Sequence, residues 1–199
     1  LHGSIYLWSA CWSSHRNLRT ISLGRLPGLN FRNGKSDPQW SGIGFSRVAD
    51  EWHKHRLHDG AAADWPFDRT SDREIAAELT GPWCDYRLYF SWREDVNALH
   101  FTCAFAIRVP DGKSREVHSL LALINEKLWL GHFDLWGDEG MPLFRHSLLL
   151  RGTSGLAVEQ MEDLVDIAVA ECERFYPSFQ YVVWAGKTPQ EALAAAILE

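Results

Sequence analysis

Long apolar runs are missing from this chain. No stretch approaches the roughly 20 residues that a helix needs to cross a bilayer, which excludes a transmembrane helix. Methionine is scarce, with two in all and none before Met141, and the chain starts at Leu1. The four cysteines, Cys11, Cys84, Cys103 and Cys172, make no CxxC pair and show neither zinc-site nor disulfide-framework spacing. Reduced thiols in a cytoplasm are therefore expected. Neither GxGxxG nor GxxxxGK(S/T) occurs, and the glycines at 131, 137 and 140 lack a phosphate-loop context. Nucleotide-dependent catalysis is not expected, and no cofactor is implied.

Positive charge is also in short supply, 20 Lys and Arg against 26 Asp and Glu, and its distribution is uneven. Residues 1–63 carry a balance of +4 and residues 64–199 a balance of −10. An acidic main segment offers no basic face for phosphates, so nucleic acid is not an expected partner. The change of sign marks a boundary between two parts. The length suits one domain with a tail.

Residues 1–63 show no sustained helical or strand periodicity and scatter Gly, Ser, Asn and Arg, which predicts an irregular or poorly ordered segment. The apolar stretch 4–12 has no positively charged region before it, and Trp8 stands where a lipoprotein signal wants a small aliphatic residue. The non-methionine start reads as either a truncation or an alternative start codon, with the expectation that much of 1–48 arises from a mis-assigned start. His53, His55 and His58, close to Asp50 and Glu51, invite a metal reading, against which a solvated polar helix or coil is favoured.

What the rest of the chain has is pattern. Ile75, Ala77 and Leu79 alternate with polar neighbours, and the preceding WPFDR (65–69) reads as a turn-prone anchor. Cys84, Tyr86, Leu88, Phe90 and Trp92 fall on one face of a strand, with Trp83, Asp85, Arg87, Tyr89 and Ser91 on the other. After a polar turn the same code returns, Leu99, Phe101, Cys103, Phe105 and Ile107 against Ala98, His100, Thr102, Ala104 and Ala106, which predicts an antiparallel hairpin. Val117, Leu120, Leu121, Ile124 and Leu128 keep helical spacing, with Gly131 the expected stop. A second hairpin turns at Gly137 to Gly140. Met161, Leu164, Val165, Ala168, Cys172 and Phe175 predict another helix, interrupted at Pro177. Thr188-Pro189-Gln190-Glu191 supplies an N-cap, Pro at N1 and Glu at N3 of a last helix. Strands, helix, strands, helices is the order of an α+β domain with helices packed on an antiparallel sheet.

Chemistry needs a nucleophile with a base, a carboxylate pair or a ligand cluster. The strongest set is His132, Asp134 and Asp138 with His146, which a hairpin can bring near enough to hold a divalent cation and support a metal-assisted enzyme. The competing reading has these residues facing solvent or pairing with Arg145. His100 and Cys103 lie on opposite faces of one strand and cannot pair, and the remaining thiols occupy apolar faces. With no catalytic set favoured, surplus aromatics become the candidate partner surface: Trp83, Tyr89, Trp92, Trp129, Trp136 and Trp184, drawn from a sequence with ten tryptophans.

WPFDR (65–69), WCDYRLYFSWRED (83–95), LHFTCAF (99–105), LLALINEKLWLGHFDLW (120–136), FRHSLLLRG (144–152), VEQMEDLV (158–165) and CERFYPSFQYVVW (172–184) resemble the YbjN domain family over residues 64–199. The resemblance implies a fold similar to type III secretion chaperones, frequent homodimerisation, and a role assigned in some members to regulating sensory transduction, with no settled enzymatic activity. Members usually carry an amphipathic helix just before the WPFDR-like segment. Here VADEWHKHRLHDGAAAD (48–64) stands there, and a helix over 48–57 using Val48, Trp52 and Leu57 takes its place. The combined expectation is a cytoplasmic, non-enzymatic, protein-binding regulatory or chaperone-like module, dimeric and without a nucleic-acid or membrane partner.

Overall fold

The two alternating segments become the centre of a six-stranded antiparallel sheet. The structure is a computed structural model and describes residues 67–71, 73–153 and 156–197. Expectations placed on residues 1–63, including the 48–57 helix and the group of His53, His55 and His58, lie outside the described residues. The strands are β1 (Phe67–Ser71), β2 (Glu74–Thr80), β3 (Asp85–Arg93), β4 (Ala98–Phe105), β5 (His132–Trp136) and β6 (Met141–Leu149), in the spatial order β1-β2-β3-β4-β6-β5. The helices are α1 (Ser114–Asn125), α2 (Val158–Val183) and α3 (Pro189–Ile197). An α+β fold follows, as the pattern predicts. No helix among the described residues is long and apolar enough to cross a membrane.

Register puts the apolar residues on a single face. Leu88 pairs with Cys103 and Cys103 with Phe144, while Phe90 pairs with Phe101, so rows of large side chains run across β3, β4 and β6. Tyr86, Leu88, Phe90, Trp92, Leu99, Phe101 and Phe105 are all buried there, in one cluster with Val117, Leu120 and Ile124 of α1 and Phe175, Phe179 and Val182 of α2. Phe133 of edge strand β5 sits at the aromatic centre. Its ring lies 5.5 to 6.2 Å from those of Phe144, Phe175, Phe179 and Phe105, at the tilted and edge-on angles that aromatic quadrupoles favour.

Three elements depart from expectation. The WPFDR region is not only an anchor: Phe67–Ser71 is strand β1, paired with β2 through a register shift between Arg69 and Ser71. Helix α2 does not stop at Pro177 but runs 26 residues to Val183. Pro177 gives up one helical hydrogen bond, a cost of about 3 kcal/mol in an exposed helix interior. Against that loss, Phe175, Tyr176, Phe179, Val182 and Val183 are buried on the same helix, and apolar burial worth roughly 1.5–3 kcal/mol per large side chain exceeds it. Helix α1 ends at Asn125, well before Gly131. The reason is that the Asn125 amide serves β5: its Nδ2 donates to the Phe133 carbonyl at 3.0 Å and its Oδ1 accepts from the Phe133 N–H at 2.7 Å. A side chain thus takes the place of a further strand at this edge.

Gly131 has a different job from ending a helix. At φ +67° it adopts the left-handed conformation, and a Cβ there would overlap the Phe144 ring and stand 2.7 Å from the Arg145 carbonyl. The expected cap of α3 is present: the Glu191 N–H donates to Thr188 Oγ1 at 3.3 Å, and the Thr188 N–H donates to Glu191 Oε2 at 3.0 Å.

Candidate partner surface

The chain reaches β3 through Gly81-Pro82-Trp83-Cys84, where the Gly81 N–H donates to the Cys84 carbonyl at 3.0 Å. Gly81 lies so close to the Tyr86 ring that an added Cβ would come within 2.9 Å of Cδ2. This tight approach turns Trp83 outward, onto helix α2. Its indole stacks on Tyr176 with 5.9 Å between centroids and 19° between planes, and the residue stays 48% exposed. Trp83, Glu173, Arg174, Pro177, Ala196 and Ile197 enclose a cleft of about 350 Å³ between the β3 entry, α2 and α3. Its lining is more apolar than polar and includes one acid, Glu173, and one base, Arg174.

The Cys84 thiol lies within hydrogen-bond reach of the Tyr176 hydroxyl, on the inner member of the stack. Burial pushes Tyr176 up to about 12, with the Cys84 charge acting in the same direction. Burial pushes Cys84 up to about 11, partly offset by a hydrogen bond from the Ala106 backbone. Both groups stay protonated at neutral pH.

The six aromatics read from the sequence separate into different environments. Trp83 and Trp184 are exposed at 48% and 61%, the latter at the end of α2, and Trp129 stands 92% exposed beside Leu130 in the α1–β5 connection. Tyr89 and Trp136 are brought together edge-to-face, 6.4 Å apart, on the sheet face opposite the helices. Trp92 leaves the candidate set because it is buried at 3% with Phe90 and Leu88. Sequence reasoning missed Tyr176, Pro177 and Ile197. The helical phase linking Cys172, Phe175, Phe179 and Val182 runs straight through Pro177 and would have placed the first two on α2.

The His/Asp set does not converge. His132 pairs with Arg145 and Asp134 with Leu143, whereas His146 pairs with Phe101 and so points to the helix-packed face. One residue of register sends an imidazole to the other side of the sheet. Asp134 is already engaged, accepting from Arg145 Nη1 at 2.7 Å and from the Leu135 N–H at 2.8 Å. Asp138 lies in the exposed β5–β6 turn. Among the described residues no group of three or more His, Cys, Asp or Glu is placed to hold a metal ion. The metal site expected from His132, Asp134, Asp138 and His146 is not formed among the described residues.

The second face carries polar pairs. His100 Nδ1 lies 2.9 Å from Ser147 Oγ, and burial, then the Arg145, His132 and Arg93 charges, hold the imidazole below its usual range. His100 and Cys103 do stand on opposite faces, as alternation requires.

Fold and surface together define an α+β domain with an antiparallel sheet, helices gathered on one face and an aromatic cleft on its outside. The chain belongs to the YbjN family: the model of that family, described as "Putative bacterial sensory transduction regulator", matches residues 61–181. Among solved structures it is similar to "Crystal structure of YbjN, a putative transcription regulator from E. coli", at 13% identity and a TM-score of 0.45, over 75% of this chain and 89% of that one. No curated protein matches the chain in sequence.

Proposed function

We propose that this chain is a non-enzymatic regulatory or chaperone-like protein of the cytoplasm that binds a protein or peptide segment in the Trp83 cleft and works as a homodimer. Residues 64–199 carry this activity. The observation that carries the reading is Trp83, a large indole held half exposed at the lip of an apolar cleft by its stack on Tyr176. Stacking orders the side chain before a partner arrives, which lowers the entropy lost on binding. Tryptophan, with tyrosine and arginine, dominates binding hot spots, and Arg174 lies on the same cleft. The regulator description of the family supports the regulatory half of the reading.

The test is affinity capture of the full chain from its host after brief crosslinking, with Trp83→Ala and Trp129→Ala run beside it. A specific protein recovered with the parent and the Trp129 variant, and reduced at least tenfold with Trp83→Ala, is the expected result. Equal recovery with Trp83→Ala would remove the cleft from the reading. Light scattering on the same preparations should give twice the 22.7 kDa chain mass, and a monomer mass would remove the homodimer.

A further inference from the structure

The core holds a feature that partner binding does not use. Cys172 of α2 and Cys103 of β4 place their sulfurs 3.7 Å apart, with both residues fully buried. Cys84, only partly buried, lies close enough to both for their charges to interact. Above Cys84 stands the Tyr176 ring, with Trp83 stacked on it. Three thiols from β3's entry, β4 and α2 therefore meet where the long helix rests on the sheet.

We propose that Cys103 and Cys172 form a shielded redox latch, which a hydroperoxide closes into a disulfide fastening helix α2 to strand β4 whenever the helix opens. A disulfide needs sulfurs at about 2.05 Å, so the two side chains must approach by roughly 1.7 Å from their present separation. With hydrogen peroxide, the simplest hydroperoxide, the reaction takes one equivalent. One thiol attacks the outer peroxide oxygen, the O–O bond breaks, and the departing hydroxide takes up the thiol proton as water, leaving a sulfenic acid. The second sulfur then attacks that sulfur, the S–O bond breaks, and a second water leaves with the remaining proton. The two sulfurs together lose two electrons, and the peroxide gains them.

Shielding sets the rate. Burial pushes the Cys172 thiol well above its usual range, and the neighbouring Cys103 sulfur pushes it the same way, so thiolate is scarce while α2 is seated. Lifting the helix admits water and oxidant together. Closure then joins residues 69 apart in sequence and limits how far α2 can leave the sheet afterwards.

The experiment uses the full-length reduced chain, treated with hydrogen peroxide at neutral pH in a series of urea concentrations below the unfolding transition, then quenched by alkylation. Non-reducing peptide mapping should find a 103–172 crosslink with a loss of two hydrogen atoms from the chain. Its rate should rise at least tenfold across the urea series, and the oxidised chain should melt several degrees higher than the reduced one. Cys84→Ala should still form the crosslink, and Cys172→Ala should not. Absence of the crosslink at every urea concentration, a crosslink joining Cys103 or Cys172 to another cysteine, or a rate indifferent to urea would each overturn the latch. Because mapping is done on the unmutated chain, a variant that fails to fold leaves the test intact.

Discussion

Removing the Asn125 side chain should expose the last strand of the sheet. Both of its amide bonds go to the backbone of one residue, Phe133, whose ring is also the hub of the aromatic core. In Asn125→Leu the volume remains but water is kept away, leaving an N–H and a carbonyl without partners. Each hydrogen bond is worth about 1 kcal/mol net, and an unsatisfied part-buried group costs more, so the loss should be about 2–3 kcal/mol. Asn125→Ala lets water reach the strand and should cost about 1–2 kcal/mol. For a cooperative unit of this size the leucine variant corresponds to a fall in Tm of roughly 6–10 °C. Urea and thermal unfolding followed by circular dichroism give the magnitude, and light scattering during heating reports on the uncovered β5 edge, which should promote association. If both variants melt within a degree of the parent with unchanged scattering, the amide is not what completes the sheet, and the account of why α1 ends at Asn125 fails.

Other substitutions test other links. Gly131→Ala should lower the urea midpoint markedly, because it combines a φ of +67° with overlap against Phe144 and the Arg145 carbonyl; an unchanged midpoint would show that the loop yields. Thr188→Ala should cost about 1 kcal/mol by uncapping α3, and Thr188→Ser should recover most of it in the same melts. His100 and His146 are both held below the usual histidine range, first by burial. Since their folded values lie below the unfolded value of about 6.5, they add stability above that pH and lose it as pH falls through the folded values. His100→Gln should therefore flatten the decline in stability between pH 7 and pH 5, and a profile parallel to the parent's would refute the assignment.

The central sheet was legible because β3 and β4 carry their large apolar residues at alternate positions, even though β4 is buried on both faces, and the first helix because Val117, Leu120, Leu121 and Ile124 repeat at helical spacing. Edge strand β1 was not, since its sequence FDRTS does not alternate and its pairing is imposed by β2 through an irregular register. Pro177 misled because a local rule about one hydrogen bond was set above a helical phase that continues for two more turns. Trp92 was misplaced despite its own pattern: alternation already put it beside Phe90, facing inward. The His132 and His146 pairing failed for a reason composition cannot supply, as the partner of His132 depends on turn geometry and turned out to be Arg145. The cleft itself joins residues more than 100 positions apart, Trp83 and Ile197, and only the tertiary fold brings them together.

Pro177 has one consequence that its ring alone would not suggest. Lacking an amide hydrogen, it has nothing to give the carbonyl of Glu173 one turn earlier, and both residues wall the groove beneath Trp83. The main chain of α2 is therefore one hydrogen bond short at this turn, whatever side chain stands at position 173.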